Sequence, residues 1–92
     1  MIAEENSIEL IKLLFKNKIY NFRVGESIED AICFTFYKYK QYTLNCELYR
    51  DGDIAYVYNK DKQIIECKDV KDIYQLLVNI KRILRLETNN ER

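Results

Sequence analysis

Hydrophobic positions change period several times along the chain, and each change marks an element. Ile8, Ile11, Leu14 and Phe15 recur at helical spacing. Asn6-Ser7-Ile8-Glu9 ahead of them reads as a helix start, with Asn6 as the cap and Glu9 reaching back. Lys16-Asn17-Lys18 closes this helix. Tyr20, Phe22 and Val24 then alternate with Asn21 and Arg23, which predicts a strand that Gly25 ends. Residues 26–30 form an acidic connector.

Three hairpins follow. Asp51-Gly52 favours a two-residue turn, which pairs Leu48 with Ala55 and Cys46 with Val57. Three-residue loops at Tyr39-Lys40-Gln41 and Lys60-Asp61-Lys62 extend the same alternation to both sides. The predicted inner face holds Ile32, Phe34, Phe36, Leu44, Cys46, Leu48, Ala55, Val57, Ile65 and Cys67. The predicted outer face holds Thr35, Tyr37, Thr43, Asn45, Glu47, Tyr49, Ile54, Tyr56, Tyr58, Ile64 and Glu66. Asp69-Val70-Lys71-Asp72 opens a second helix with the stripe Val70, Ile73, Leu77, Ile80 and Leu84, widened by Leu76 and Ile83. The expected fold class is α+β, an antiparallel β-meander of four to five strands flanked by an N-terminal and a C-terminal helix. Residues 1–86 form a single domain and 87–92 a polar C-terminal tail.

Composition narrows the chemistry. The 92 residues hold 15 basic and 15 acidic side chains, no histidine, no tryptophan, no proline and two glycines. A hydrophobic fraction of 48% is too high for a disordered chain. Zero net charge argues against direct nucleic-acid binding, which needs a basic surplus. Without histidine, Ser-His and Cys-His nucleophile activation is excluded. Asp51 and Asp53 flank a turn glycine at a loop tip, where water prevents the pKa rise that acid catalysis requires. Cys33, Cys46 and Cys67 form no CxxC pair, so no metal site is expected. No cofactor motif, signal peptide or membrane span is visible, and a cytoplasmic, reduced setting is expected. The chain is therefore expected to be no enzyme and to work by binding.

The predicted outer face offers the binding surface. Tyr37, Tyr49, Tyr56 and Tyr58 supply stiff aromatic area with a hydrogen-bonding tip. Glu47, Asp51, Asp53 and Glu66 add negative charge suited to a partner with a basic groove. The alternative is an assembly module, a homodimer formed through this tyrosine-rich face or through the C-terminal helix, where Tyr74 and Val78 widen the apolar surface.

Glu9-Leu10-Ile11-Lys12, followed by Lys16-Asn17-Lys18-Ile19-Tyr20-Asn21-Phe22-Arg23-Val24, resembles the helix-into-strand start of small phage anti-CRISPR proteins that inhibit Cas9. The Asp51-Gly52-Asp53 turn, Tyr56-Val57 after it and a closing helix from Val70 follow in the same order. The chain differs in its zero net charge, additional tyrosines and an extra strand, so inhibition carries over more readily than full DNA mimicry. The resemblance implies a phage or mobile-element protein that binds a CRISPR-Cas effector stoichiometrically. Glu47, Asp51 and Asp53 would stand in for phosphates, and Tyr49, Tyr56 and Tyr58 would anchor. A composition rich in Lys, Asn, Ile and Tyr suits an AT-rich bacterial or phage genome.

Overall fold

A computed structural model describes residues 2–27, 30–38 and 41–90. Helix α1 spans Ile2–Lys16 and helix α2 spans Ile73–Asn90. Between them run β1 (Phe22–Glu26), β2 (Ile32–Lys38), β3 (Tyr42–Leu48), β4 (Ile54–Lys60) and β5 (Gln63–Val70). The five strands form one antiparallel sheet in chain order, so the meander architecture is as expected.

Helix α1 begins before Asn6, so Asn6 is not its cap. Ser7 instead donates from Oγ to the Glu4 carbonyl at 2.8 Å within the helix. The buried stripe is Ala3, Ser7, Leu10 and Leu14, while Ile8 and Phe15 stay exposed. The helix ends in a Schellman motif: the Ile19 amide donates to the Leu14 carbonyl at 2.9 Å and the Lys18 amide to the Phe15 carbonyl at 3.0 Å. Lys18 takes the left-handed position at φ 61°. Gly25 does not end β1. It pairs with Cys33 inside the strand. Of the acidic connector, Ile28 and Glu29 lie outside the described residues.

The β2–β3 register is the expected one, with Phe36 opposite Leu44, Phe34 opposite Cys46 and Ile32 opposite Leu48. The next hairpin differs by one residue. Tyr49 and Asp53 close it through the Tyr49 amide and the Asp53 carbonyl at 2.9 Å, leaving the three-residue loop Arg50-Asp51-Gly52. Gly52 sits at φ +99°, where a glycine follows a tight turn with little strain. Leu48 therefore faces Ile54, Cys46 faces Tyr56 and Leu44 faces Tyr58. A one-residue change of register exchanges the faces of a strand. Ile54, Tyr56 and Tyr58 thus point to the core side, and Ala55 and Val57 point away.

The β4–β5 connection also departs from the expected three-residue loop. Asp61 and Lys62, at φ 56° and 70°, form a two-residue turn closed by Lys60 and Gln63. A β-bulge then shifts the register between Tyr58 and Asn59, so Tyr58 faces Glu66 and Val57 faces Cys67. The expected placement of Ala55, Val57, Ile65 and Cys67 in the core is corrected accordingly. Val70 closes β5, and Asp72 caps α2 by accepting from the Gln75 amide at 2.9 Å. The backbone of α2 continues to Asn90, through much of the stretch expected to be a polar tail.

Both helices pack on the same side of the sheet. Leu10 and Leu14 of α1 and Ile73, Leu76, Ile80 and Ile83 of α2 join Phe34, Phe36, Leu44, Cys46, Leu48, Ile54 and Tyr56 in one core. Leu77 and Leu84 flank it. The helices run parallel to each other. Tyr74 Oη donates to Glu9 Oε2 at 2.8 Å, and Lys81 Nζ donates to Asn17 Oδ1 at 3.2 Å, so contacts advance together along both. Their N-termini therefore share the end of the sheet that carries the β3–β4 hairpin. Ile2 lies against that hairpin, 3.5 Å from where a Gly52 Cβ would stand.

Candidate binding face

With both helices on one side, the other side of the sheet is covered by no element among the described residues. Successive strands place its residues in rows. Cys33, Glu47, Ala55 and Asp69 form one row, Thr35, Asn45, Val57 and Cys67 the next, and Tyr37, Thr43, Asn59 and Ile64 the third. Thr35 Oγ1 donates to Asn45 Oδ1 across the middle row at 2.9 Å. Arg23 lies over the Tyr37 ring at 5.8 Å, at the far end of the face.

The first row ends at the β3–β4 hairpin, and there the acidic residues gather. Glu47 Oε1 accepts from Tyr49 Oη at 2.6 Å, which holds the Tyr49 ring beside the carboxylate. Asp51 Oδ1 accepts from the Asp53 amide at 3.0 Å, an Asx turn that stiffens the loop tip. Arg50, the basic residue of this hairpin, is ion-paired with Asp30. Asp69 lies two strands from Glu47, roughly 10 Å at ordinary strand spacing. Burial, followed by the nearby Glu47 charge, pushes the Cys33 thiol above its ordinary pKa, so Cys33 is kept in the weakly reactive form.

The expected site residues therefore divide. Glu47, Tyr49, Asp51 and Asp53 come together at the hairpin end. Tyr37 shares the uncovered face but lies at its opposite end. Tyr56, Tyr58 and Glu66 do not reach that face. Tyr56 is 1% exposed, packed beneath α2, and Tyr58 stacks on Tyr42 with ring centroids 5.8 Å apart. The tyrosine-rich face expected for a partner or a second copy is thus not formed, because the hairpin loop has one more residue than a two-residue turn. On α2, Tyr74 and Val78 are exposed.

Tyr56 and Glu66 belong to a polar cluster between β4, β5 and α2. Arg82 grips Glu66 with both terminal nitrogens, Nη2 to Oε2 at 2.5 Å and Nη1 to Oε1 at 3.2 Å. Tyr56 Oη donates to Glu66 Oε2 at 2.5 Å, and Asn79 Oδ1 accepts from Arg82 Nη2 at 2.9 Å. The Arg82 hydrogen bonds, seconded by Tyr56, hold the Glu66 carboxyl below its usual range. Burial, with Glu66 beside it, pushes the Tyr56 phenol up to about 12. This cluster pins α2 to the sheet and presents no open site.

Asp69 is the acidic residue that sequence analysis assigned elsewhere, as part of a helix start. The two-residue β4–β5 turn and the bulge after it place Asp69 beside Ala55 on the uncovered face, and no local pattern in the sequence marks that bulge. Among the described residues, no group of three or more Cys, Asp or Glu side chains is arranged to hold a metal. Among the described residues, no helix is long and apolar enough to cross a membrane. Comparison with known proteins gives no match, whether among family models, curated proteins or solved structures.

Proposed function

We propose that this is a small non-enzymatic binding protein that inhibits a nucleic-acid-handling complex, such as a CRISPR effector, by protein–protein contact. The observation that carries the proposal is the uncovered sheet face ending in a stiffened acidic hairpin. Glu47, Asp51, Asp53 and Asp69 present carboxylates there, and Tyr49 supplies an aromatic anchor held by Glu47. Carboxylates grouped at a stiffened hairpin end suit the basic groove of a protein built to hold phosphates. The absence of histidine from the chain supports binding over catalysis. The resemblance to phage anti-CRISPR proteins supports the choice of partner and a phage or mobile-element origin.

The test is displacement of target DNA. A labelled duplex bound by a guide-loaded CRISPR effector nuclease is titrated with the protein and followed by fluorescence anisotropy. The duplex is expected to be released at one protein per effector, less readily as salt rises, because exposed charges are screened beyond about 10 Å at 0.1 M salt. Undiminished anisotropy at saturating protein, at low salt, would sink the proposal.

A further inference from the structure

The two edges of the sheet are unlike. The β5 edge carries devices that discourage strand addition: the bulge at Tyr58/Asn59, Lys68, and the Glu66–Arg82 pair beside it. The β1 edge has no bulge, and its charged residues are Arg23 and Glu26. It hydrogen-bonds to β2 alone, and its other side meets no strand among the described residues. Large apolar side chains are exposed beside it, as Ile64 and Ile65 are on β5, but here they extend onto a helix. Ile8 is 55% exposed, Phe15 52%, Tyr20 64% and Val24 48%. The Phe15 ring lies 5.7 Å from Tyr20 and 6.1 Å from Phe22, so α1 and the start of β1 form one continuous patch.

We propose that this edge pairs with the β1 edge of a second copy of the chain, antiparallel, about a two-fold axis perpendicular to the sheet. Charge selects that occupant. Helix α1 is acidic in its first turn, with Glu5, and basic further on, with Lys12 and Lys16. Two copies related in this way run their α1 helices in opposite directions. The whole molecule repeats the pattern. Asp51, Asp53, Asp69 and Asp72 lie at the hairpin end, and Lys16, Lys60, Lys62 and Arg85 toward the opposite end, so antiparallel copies oppose unlike charges along their length. The same two-fold keeps both pairs of helices on one side and continues the antiparallel order of the sheet.

Area sets the strength. The four apolar side chains expose roughly 400 Å² together, about half of the 800 Å² per partner in a standard interface. Strand pairing and the α1 rim supply more, so a weak, concentration-dependent dimer is expected. Its two acidic hairpins would stand at opposite ends, giving one effector-binding end per copy.

Sedimentation of the full chain from about 1 to 500 μM tests the pairing without any effector, so its outcome is separate from that of the inhibition proposal. The mass is expected to rise from one chain to two. Phe15→Glu and Val24→Lys are each expected to weaken the association at least tenfold, and Ile64→Lys on β5 to leave it unchanged. Tyr20→Ser, which lies outside every strand, gives the same test on the same patch if the other variants unfold. A single-chain mass at every concentration, an association indifferent to these variants, or one lost on Ile64→Lys would overturn the proposal.

Discussion

At the scale of single residues, backbone conformation decides more here than side-chain chemistry. Lys18 and Lys62 occupy left-handed positions that cost a side-chain-bearing residue about 1–2 kcal/mol. Lys62→Gly and Lys18→Gly are each expected to stabilise the fold by roughly 0.5–1 kcal/mol, after the extra unfolded-state entropy of glycine is subtracted. Gly52→Ala is expected to destabilise by about 1 kcal/mol, because φ +99° is strained for any L side chain. Urea midpoints read all three. The cysteines report the register directly. Cys67 faces solvent on the uncovered face, whereas Cys46 is fully buried and its thiol is pushed up by that burial. Native protein is expected to alkylate at Cys67 within minutes and at Cys46 only on unfolding. Protection of Cys67 in the native state would restore the two-residue turn.

At the scale of elements, what was legible depended on loop length. The β2–β3 pairing could be counted because Phe34, Phe36, Leu44 and Cys46 tolerate only one register. The β3–β4 pairing could not, because both candidate faces of β4 are apolar enough. Ala55 and Val57 compete with Ile54, Tyr56 and Tyr58, and the larger side chains fill the space under α2. Asp-Gly is compatible with a two-residue and a three-residue turn, and sequence alone does not separate them. The β4–β5 bulge adds one residue that no local pattern announced. Helix α1 was rotated for a similar reason: Ala3 and Ser7 are small, and only their burial against the sheet shows which stripe is inner. The consequence is the Tyr56–Glu66–Arg82 cluster. Tyr56 has its pKa raised in the folded protein, so its contribution to stability is complete below pH 10 and is lost as pH rises through about 12. Glu66 has its pKa lowered, so its contribution is present above its ordinary 4.5 and is lost as pH falls through the folded value. An ultraviolet titration is expected to show one phenol ionising near 12 that disappears in Tyr56→Phe. Arg82→Met is expected to cost up to about 1 kcal/mol at neutral pH, since the pair is partly exposed and screened by solvent.

At the scale of the whole molecule, two parallel helices on one face of a meander leave the opposite face covered by no element among the described residues and divide the charge between the ends. The acidic hairpin end coincides with both helix N-termini, where anions are favoured, and the lysine-rich end with the C-terminal part of α1. A chain of zero net charge thereby presents a locally acidic surface, which composition alone conceals. Four of the expected site residues, Glu47, Tyr49, Asp51 and Asp53, survive as a group because they sit in or beside the hairpin, where a one-residue register change moves them little. Those further along β4 and β5 do not, because the same change turns them over. The binding account rests on that hairpin. Its most direct test is the affinity of the protein for a guide-loaded CRISPR effector nuclease, measured by calorimetry for the wild type and for Asp51→Lys with Asp53→Lys. The account predicts that charge reversal weakens binding at least tenfold, about 1.4 kcal/mol, and flattens its salt dependence. Equal affinities for the two proteins, or no binding by either, would contradict it.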